Sequence, residues 1–258
     1  MLVSGFGSVH NEGNSSDSFL EWYCAPDSWE STDPTLREGK DGWWKVDEQG
    51  CTLVVAAPAK KDFWRKTYYQ PLLIKDDGPC LFATLPKDKT FMVETSFTLC
   101  PKRQFDQGGI CIRIDHEHWI KTGIEMVDGT PRLSCVVTNV YSDWSTQMWH
   151  ELKARIRVHI FPNGSFVVEA APVAEATTKW SFVRIAHLSE GMNCRDDALE
   201  HNPAVENAWK GPSAPPEHLY AGVFACCPED QSGSFVTFYD FSIVEGSSFK
   251  HDADCNHE

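Results

Sequence analysis

Phe105-Asp-Gln-Gly-Gly-Ile-Cys-Ile-Arg-Ile-Asp-His-Glu-His-Trp-Ile-Lys-Thr-Gly-Ile-Glu-Met-Val-Asp-Gly-Thr-Pro-Arg-Leu-Ser-Cys-Val-Val-Thr-Asn-Val-Tyr-Ser-Asp-Trp144 reads as three consecutive strands. After a turn at Gly108-Gly109, Ile110, Ile112 and Ile114 alternate with Cys111, Arg113 and Asp115, the period-two pattern of a half-buried strand. Trp119 to Met126 repeats it. Asp128-Gly129 supplies a turn pair that tolerates positive φ, and a two-residue loop there sets Glu125 opposite Arg132 and Ile124 opposite Leu133. That register puts Ile120, Ile124, Leu133, Cys135 and Val137 on one face and Trp119, Lys121, Glu125, Arg132, Ser134 and Thr138 on the other. The first face is a core. A longer turn would reverse the parity of the third strand and bring Leu133, Cys135 and Val137 to the side of Glu125.

Similar runs fill the rest of the chain. Strands are expected at Cys51 to Ala57, Phe63 to Leu73, Cys80 to Thr84 and Phe91 to Leu99, each bounded by Pro, Gly or Asp-Lys turn chemistry. Glu151 to Phe161 and Ser165 to Ala170 flank Pro162-Asn-Gly164 as a hairpin. Lys179 to Ala186, Leu219 to Cys226 and Phe235 to Ile243 complete the set. Residues 1–18 are predicted to be a flexible segment, 19–246 one β-sandwich domain, and 247–258 a flexible acidic tail. Between Ser189 and His218 alternation stops and four prolines appear, which marks a long surface insertion with a helical turn near Ala204 to Trp209. About a dozen strands with no linker and almost no helical periodicity argue for an all-β, two-sheet sandwich.

Composition narrows the function. The 23 basic and 37 acidic residues give a formal charge of −14, which repels nucleic acid and anionic membrane surfaces. No stretch approaches the roughly 20 apolar residues of a membrane span, and Met1 to Gly7 lacks the features of a signal peptide. The ten cysteines form no Cys-x-x-Cys pair and several sit in strand runs, as reduced core thiols do, so a cytoplasmic protein is expected. Asn14-Ser-Ser16 and Asn163-Gly-Ser165 match the glycosylation tripeptide, but the second fills a tight turn.

Nine segments resemble, in order, those of a known family: Trp22-Tyr-Cys-Ala-Pro26, Asp62-Phe-Trp-Arg-Lys-Thr-Tyr-Tyr69, Gly108-Gly-Ile-Cys-Ile-Arg-Ile114, Trp119-Ile-Lys-Thr-Gly-Ile-Glu125, Val137-Thr-Asn139, Ser142-Asp-Trp144, Phe182-Val-Arg-Ile-Ala-His187, Gly222-Val-Phe-Ala-Cys-Cys-Pro228 and Phe238-Tyr-Asp-Phe241. That family is catalogued as a domain of unknown function and includes the fungal regulation-of-enolase protein and many bacterial relatives. The resemblance implies a concanavalin-A-like, jelly-roll β-sandwich. It also implies a regulatory role in carbohydrate metabolism, with a glycolytic enzyme as protein partner or a small polar or sugar ligand. The insertion and the long amino-terminal segment exceed the compact family core.

The candidate ligand-binding residues are Trp119, Lys121, Glu125, Arg132, Thr138, Asn139, Asp143 and Trp144. On a concave sheet they make a polar platform with an aromatic wall, suited to a sugar. The competing structural reading is cross-strand Glu125–Arg132 pairing, worth a few tenths to about 1 kcal/mol, with Asp143 closing a turn. Trp64 between Asp62 and Arg65 is expected in the core, and Arg65 or Arg184 would join the polar face.

Catalysis has weaker support. A glycosidase needs two carboxyls roughly 5 to 9.5 Å apart, and the Glu-x-Asp-x-x-Glu strand of lectin-like glucanases is missing. Asp115-His-Glu117 falls in a hairpin turn. No nucleophile elbow, P-loop or dinucleotide fingerprint occurs, so no cofactor is expected. Asp115-His-Glu-His118 and the tail from His251 to Glu258 concentrate metal-ligand types without metal-site spacing. The chain reads as a protein that binds rather than transforms; the alternatives are a carbohydrate-binding module or a cryptic glycoside hydrolase.

Overall fold

Asp128 and Gly129 both take positive φ, +50° and +75°, and close a two-residue hairpin turn. Glu125 therefore faces Arg132 and Ile124 faces Leu133, in the register the sequence predicts. The computed structural model describes residues 2–6, 20–23, 43–47, 49–173, 179–189, 202–229 and 234–250. The Asn14 tripeptide, residues 190–201 of the insertion and the tail from 251 lie outside the described residues.

The strands are β1 (Leu2–Ser4), β2 (Glu21–Tyr23), β3 (Trp44–Val46), β4 (Thr52–Ala56), β5 (Phe63–Arg65) and β6 (Ile74–Asp76). They continue as β7 (Cys80–Pro86), β8 (Phe91–Cys100), β9 (Gln107–Arg113), β10 (His118–Val127), β11 (Thr130–Asn139) and β12 (Tyr141–Met148). The last are β13 (Lys153–Ile160), β14 (Ser165–Ala171), β15 (Ser181–His187), β16 (His218–Cys226) and β17 (Phe235–Glu245). Among the described residues, one sheet runs β15-β14-β13-β8-β17-β4-β3, with β1 also on β17, and the other runs β12-β11-β10-β9-β16-β7-β2. All pairings within both are antiparallel.

Between the sheets lies the main core, where Phe97, Val158, Phe238 and Ile243 of the first sheet meet Ile112, Ile124, Leu133 and Val223 of the second. Burying each such side chain contributes about 1.5–3 kcal/mol. The alternation seen in the sequence is the inward half of this contact.

Four expectations change. Gly108 and Gly109 are not a turn but lie inside β9. Gly109 opposes Gly123, where a side-chain carbon on Gly123 would sit 1.9 Å from the Gly108 carbonyl oxygen, so the close backbone approach demands glycine. Phe63 to Leu73 is not one strand. It is β5, a loop with positive φ at Lys66 and Tyr68, and then β6 from Ile74, because Pro71 can give no ladder hydrogen bond. Leu2 to Phe6 is part of the fold: β1 pairs with β17, and the buried Phe6 ring stacks on Phe241 at 5.2 Å. Three paired residues are too few to show alternation. Finally, the helical turn is α1 (Pro203–Glu206), whose cap Asn202 accepts from the Ala204 N–H at 2.9 Å.

A second, smaller core covers the outer face of the second sheet. Phe63 and Trp64 of β5 pack there with Phe82, Cys111, Trp119, Val136, Tyr220 and Phe224. The β5–β6 hairpin is docked by the Arg65 N–H, which donates to Ser142 Oγ at 2.9 Å, and Ser142 in turn bonds Thr138 Oγ1 at 2.8 Å. A strap from the carboxyl end of the insertion lies over the same face. Gly211 N–H donates to Asp76 Oδ2 at 2.7 Å, Arg113 Nε to the Pro212 carbonyl at 3.0 Å, and Ala214 N–H to the Ile114 carbonyl at 2.7 Å. Arg113 and Asp76 form a buried bidentate ion pair beneath it.

Candidate functional site

Because the second sheet is covered, its polar residues do not form an open platform. Lys121 and Glu125, two turns of the pleat apart on β10, are only 3% and 5% exposed. They form the floor of a pocket of about 200 Å³, with walls from Trp64, Tyr69, Leu73, Phe105, Val136 and Trp144 and with Asp62, Pro228 and Glu229 completing it. Lys121 Nζ donates to Asp62 Oδ1 at 2.8 Å, and Gln107 Nε2 donates to the same oxygen at 3.1 Å. Burial alone would lower the Lys121 ammonium, but the neighbouring charges of Asp62 and Glu125 outweigh it and hold the group above its ordinary range.

Glu125 is bound differently. Ser134 Oγ donates to its Oε2 at 2.6 Å and itself accepts from Trp144 Nε1 at 2.9 Å, so one hydroxyl fixes both the carboxyl and the aromatic wall. Burial raises the Glu125 carboxyl, Asp62 adds to the effect, and Lys121 and Ser134 only partly offset it, leaving the group at about 7. Near neutral pH it can therefore accept or donate a hydrogen bond to a hydroxyl.

The pH dependence of folding carries this signature. Between the ordinary 4.5 and about 7 the folded state holds a proton that the unfolded chain has released, so stability falls as pH rises through that window. The expected loss is on the order of 3 kcal/mol and persists above it. Urea unfolding of the protein and of Glu125→Gln at pH 5 and 8 checks this: the wild-type slope should be absent in the variant.

The eight candidate residues do not stay together. Lys121, Glu125 and Trp144 meet in the pocket, and Asp143 lines an adjoining outer chamber with Trp144. Trp119 is fully buried against Phe63, with ring centroids 5.7 Å apart, so it supports the pocket floor rather than forming an aromatic wall. Thr138 is buried in the contact that docks β5. Asn139 ties the two sheets together at the far edge, donating to the His187 carbonyl at 2.9 Å and accepting from the Ser189 N–H at 2.8 Å. Arg132 stands opposite Glu125 without an ion pair to it; Ser134 takes that place. Arg65 pairs with Glu117, and Arg184 with Asp143 at 3.1 Å, so neither guanidinium enters the pocket.

Asp62, Tyr69 and Phe105 line the pocket although no sequence pattern marks them as site residues, and Trp64, which reads as core, is also one of its walls. Asp62 meets Lys121 across 59 residues of sequence, a distance at which no local pattern speaks. In the Asp115 to His118 turn, the Asp115 carboxylate binds His118 Nδ1 at 2.9 Å and the N–H groups of Glu117 and His118. Asp115 and His118 are thus spent on each other, and the Glu117 carboxylate on Arg65.

Two antiparallel sheets packed face to face form a concanavalin-A-like, jelly-roll β-sandwich. The chain belongs to the family described as Protein of unknown function (DUF1349), which matches residues 40–245. It is 30% identical over 203 residues to Regulation of enolase protein 1 of Saccharomyces cerevisiae, covering 77% of this chain and 84% of that one. An uncharacterized protein of Emericella nidulans is 32% identical over 198 residues, covering 75% of this chain and 86% of the relative. Among solved structures, a functionally unknown protein from Saccharomyces cerevisiae superimposes with a TM-score of 0.64 at 26% identity, covering 90% of this chain and 98% of that one. A xylan beta-1,4-xylosidase from Bacillus halodurans shares the fold at 11% identity and a TM-score of 0.55, over 93% of this chain and 41% of the enzyme.

Proposed function

We propose that the protein binds a neutral, hydroxyl-rich ligand of the sugar class in the Lys121–Glu125 pocket and acts as a non-catalytic regulatory protein. One observation carries this reading: a lysine, a carboxyl near neutrality and a second carboxylate lie at the bottom of a cavity walled by Trp64, Tyr69, Phe105 and Trp144. Aromatic faces cover the C–H side of a sugar ring while the floor exchanges hydrogen bonds with its hydroxyls. Lys121 is neutralised by Asp62, so the floor offers no surplus positive charge for a phosphate. Sugars rather than sugar phosphates are the expected class.

The yeast relative's name, which speaks of the regulation of enolase, supports a regulatory role in carbohydrate metabolism; a glycolytic enzyme is the partner and the cytoplasm the compartment we propose with it. Cys80, Cys111, Cys135 and Cys226 are buried thiols, which supports that compartment. No helix among the described residues is long and apolar enough to cross a membrane.

A thermal-shift panel of neutral sugars and their phosphates tests the binding reading. Neutral sugars should raise the melting temperature, phosphates should not, and the shift should vanish in Glu125→Gln and Trp144→Ala. A shift unchanged in both variants would place the ligand elsewhere.

The cryptic-hydrolase reading rests on one observation, the Glu125 carboxyl held at about 7, as a general acid requires. Turnover of aryl glycosides abolished by Glu125→Gln, with binding retained, would favour it.

A further inference from the structure

Outside the pocket, and sharing its aromatic wall, lies a larger chamber of about 680 Å³. Its rings meet nearly at right angles. Trp64 and Tyr69 lie 5.6 Å apart at 82°, Trp64 and Trp144 6.3 Å apart at 87°, and Phe105 and Trp144 6.3 Å apart at 75°. Tyr68 stands at the mouth, 87% exposed and edge-on to Tyr69 at 5.4 Å. These edge-to-face contacts hold Trp64, Tyr69, Phe105 and Trp144 at different inclinations around one chamber that all four line.

The charges point the same way. The chamber lining contains Asp128 and Asp143 and no lysine, arginine or histidine. Asp128 accepts from Gln104 Nε2 at 3.0 Å and has no ion pair among the described residues, whereas Asp143 is paired with Arg184. Behind the wall, Lys121 is already matched by Asp62.

We infer that the outer chamber is an aromatic cage for an organic cation of the methylated ammonium class. The ring faces attract the cation, the methyl groups fill the apolar volume, and Asp128 supplies the counter-charge at the rim. A quaternary ammonium cannot donate hydrogen bonds, so a chamber rich in rings, whose Gln104, Ser142 and Asp143 side chains already have partners, suits it better than a bare ammonium. The inference does not rest on a ligand in the inner pocket, whose neutral-sugar test can fail while this one succeeds.

Choline and its neutral isostere 3,3-dimethylbutan-1-ol have the same shape and differ in charge. Titration calorimetry should show choline binding at least about tenfold more tightly than the isostere. Asp128→Asn should remove most of that preference while the protein stays folded, because asparagine suits the same positive-φ turn position. Glu245→Gln, on the far sheet, should change nothing. A peptide bearing trimethyllysine, run beside choline, separates a cation carried on a partner chain from a free one. Equal binding of choline and the isostere would overturn the inference, as would no binding by choline or the peptide, or a preference that survives both Asp128→Asn and Trp144→Ala.

Discussion

Arg113→Met is expected to cost about 3–5 kcal/mol and to lower the melting temperature by on the order of 10 °C. Arg113 and Asp76 are 2% and 5% exposed and bind each other through two hydrogen bonds, so removing the guanidinium strands a carboxylate in a dry site. Burial already raises the Asp76 carboxyl, with Arg113 the main influence that opposes it. Losing Arg113 also frees the Pro212 carbonyl and loosens the strap over the second core. The double variant Arg113→Met/Asp76→Leu should recover part of the loss, though Gly211 N–H and Pro212 would still lack partners. Thermal unfolding of the wild type and the two variants, with hydrogen exchange at Gly211 to Ala214, measures both effects. A cost below about 1 kcal/mol for the single change would show that the pair is hydrated and the strap is not anchored there.

Lys121→Met should act on the site and the fold together. Without the ammonium, Asp62 keeps only Gln107 as a side-chain partner and Glu125 loses the charge that restrains its rise, so its carboxyl moves above 7. The expected destabilisation is about 3 kcal/mol, and affinity for a pocket ligand should fall roughly 10- to 100-fold, the range for losing a charged hydrogen bond. Ligand titration at pH 6, where the raised Glu125 carboxyl of the variant stays protonated, run beside urea unfolding at the same pH, separates the two losses. Unchanged affinity would remove Lys121 from the site.

The fold was legible where its information is local. Asp128-Gly129 sets a register, and Ile120, Ile124, Leu133, Cys135 and Val137 then fall on the core side by parity alone. The site was legible only in part, for a physical reason. The β5–β6 hairpin has strands of three residues, too short for periodicity, yet it converts an open sheet face into a covered one. That layer buries Trp119, draws Asp62 onto Lys121 and leaves Arg132 outside. Alternation identifies which side chains share a face, and it is silent about what a distant segment lays over that face.

Glu125 lies at the floor of a covered pocket, shielded from bulk water. Carbon-13 NMR of its carboxyl, assigned by comparison with Glu125→Gln and followed from pH 4 to 9, tests this most directly. A midpoint near 7 is expected, moving when a pocket ligand is added. A midpoint at the ordinary 4.5 would mean that water reaches the carboxyl freely, and the pocket as described would not exist.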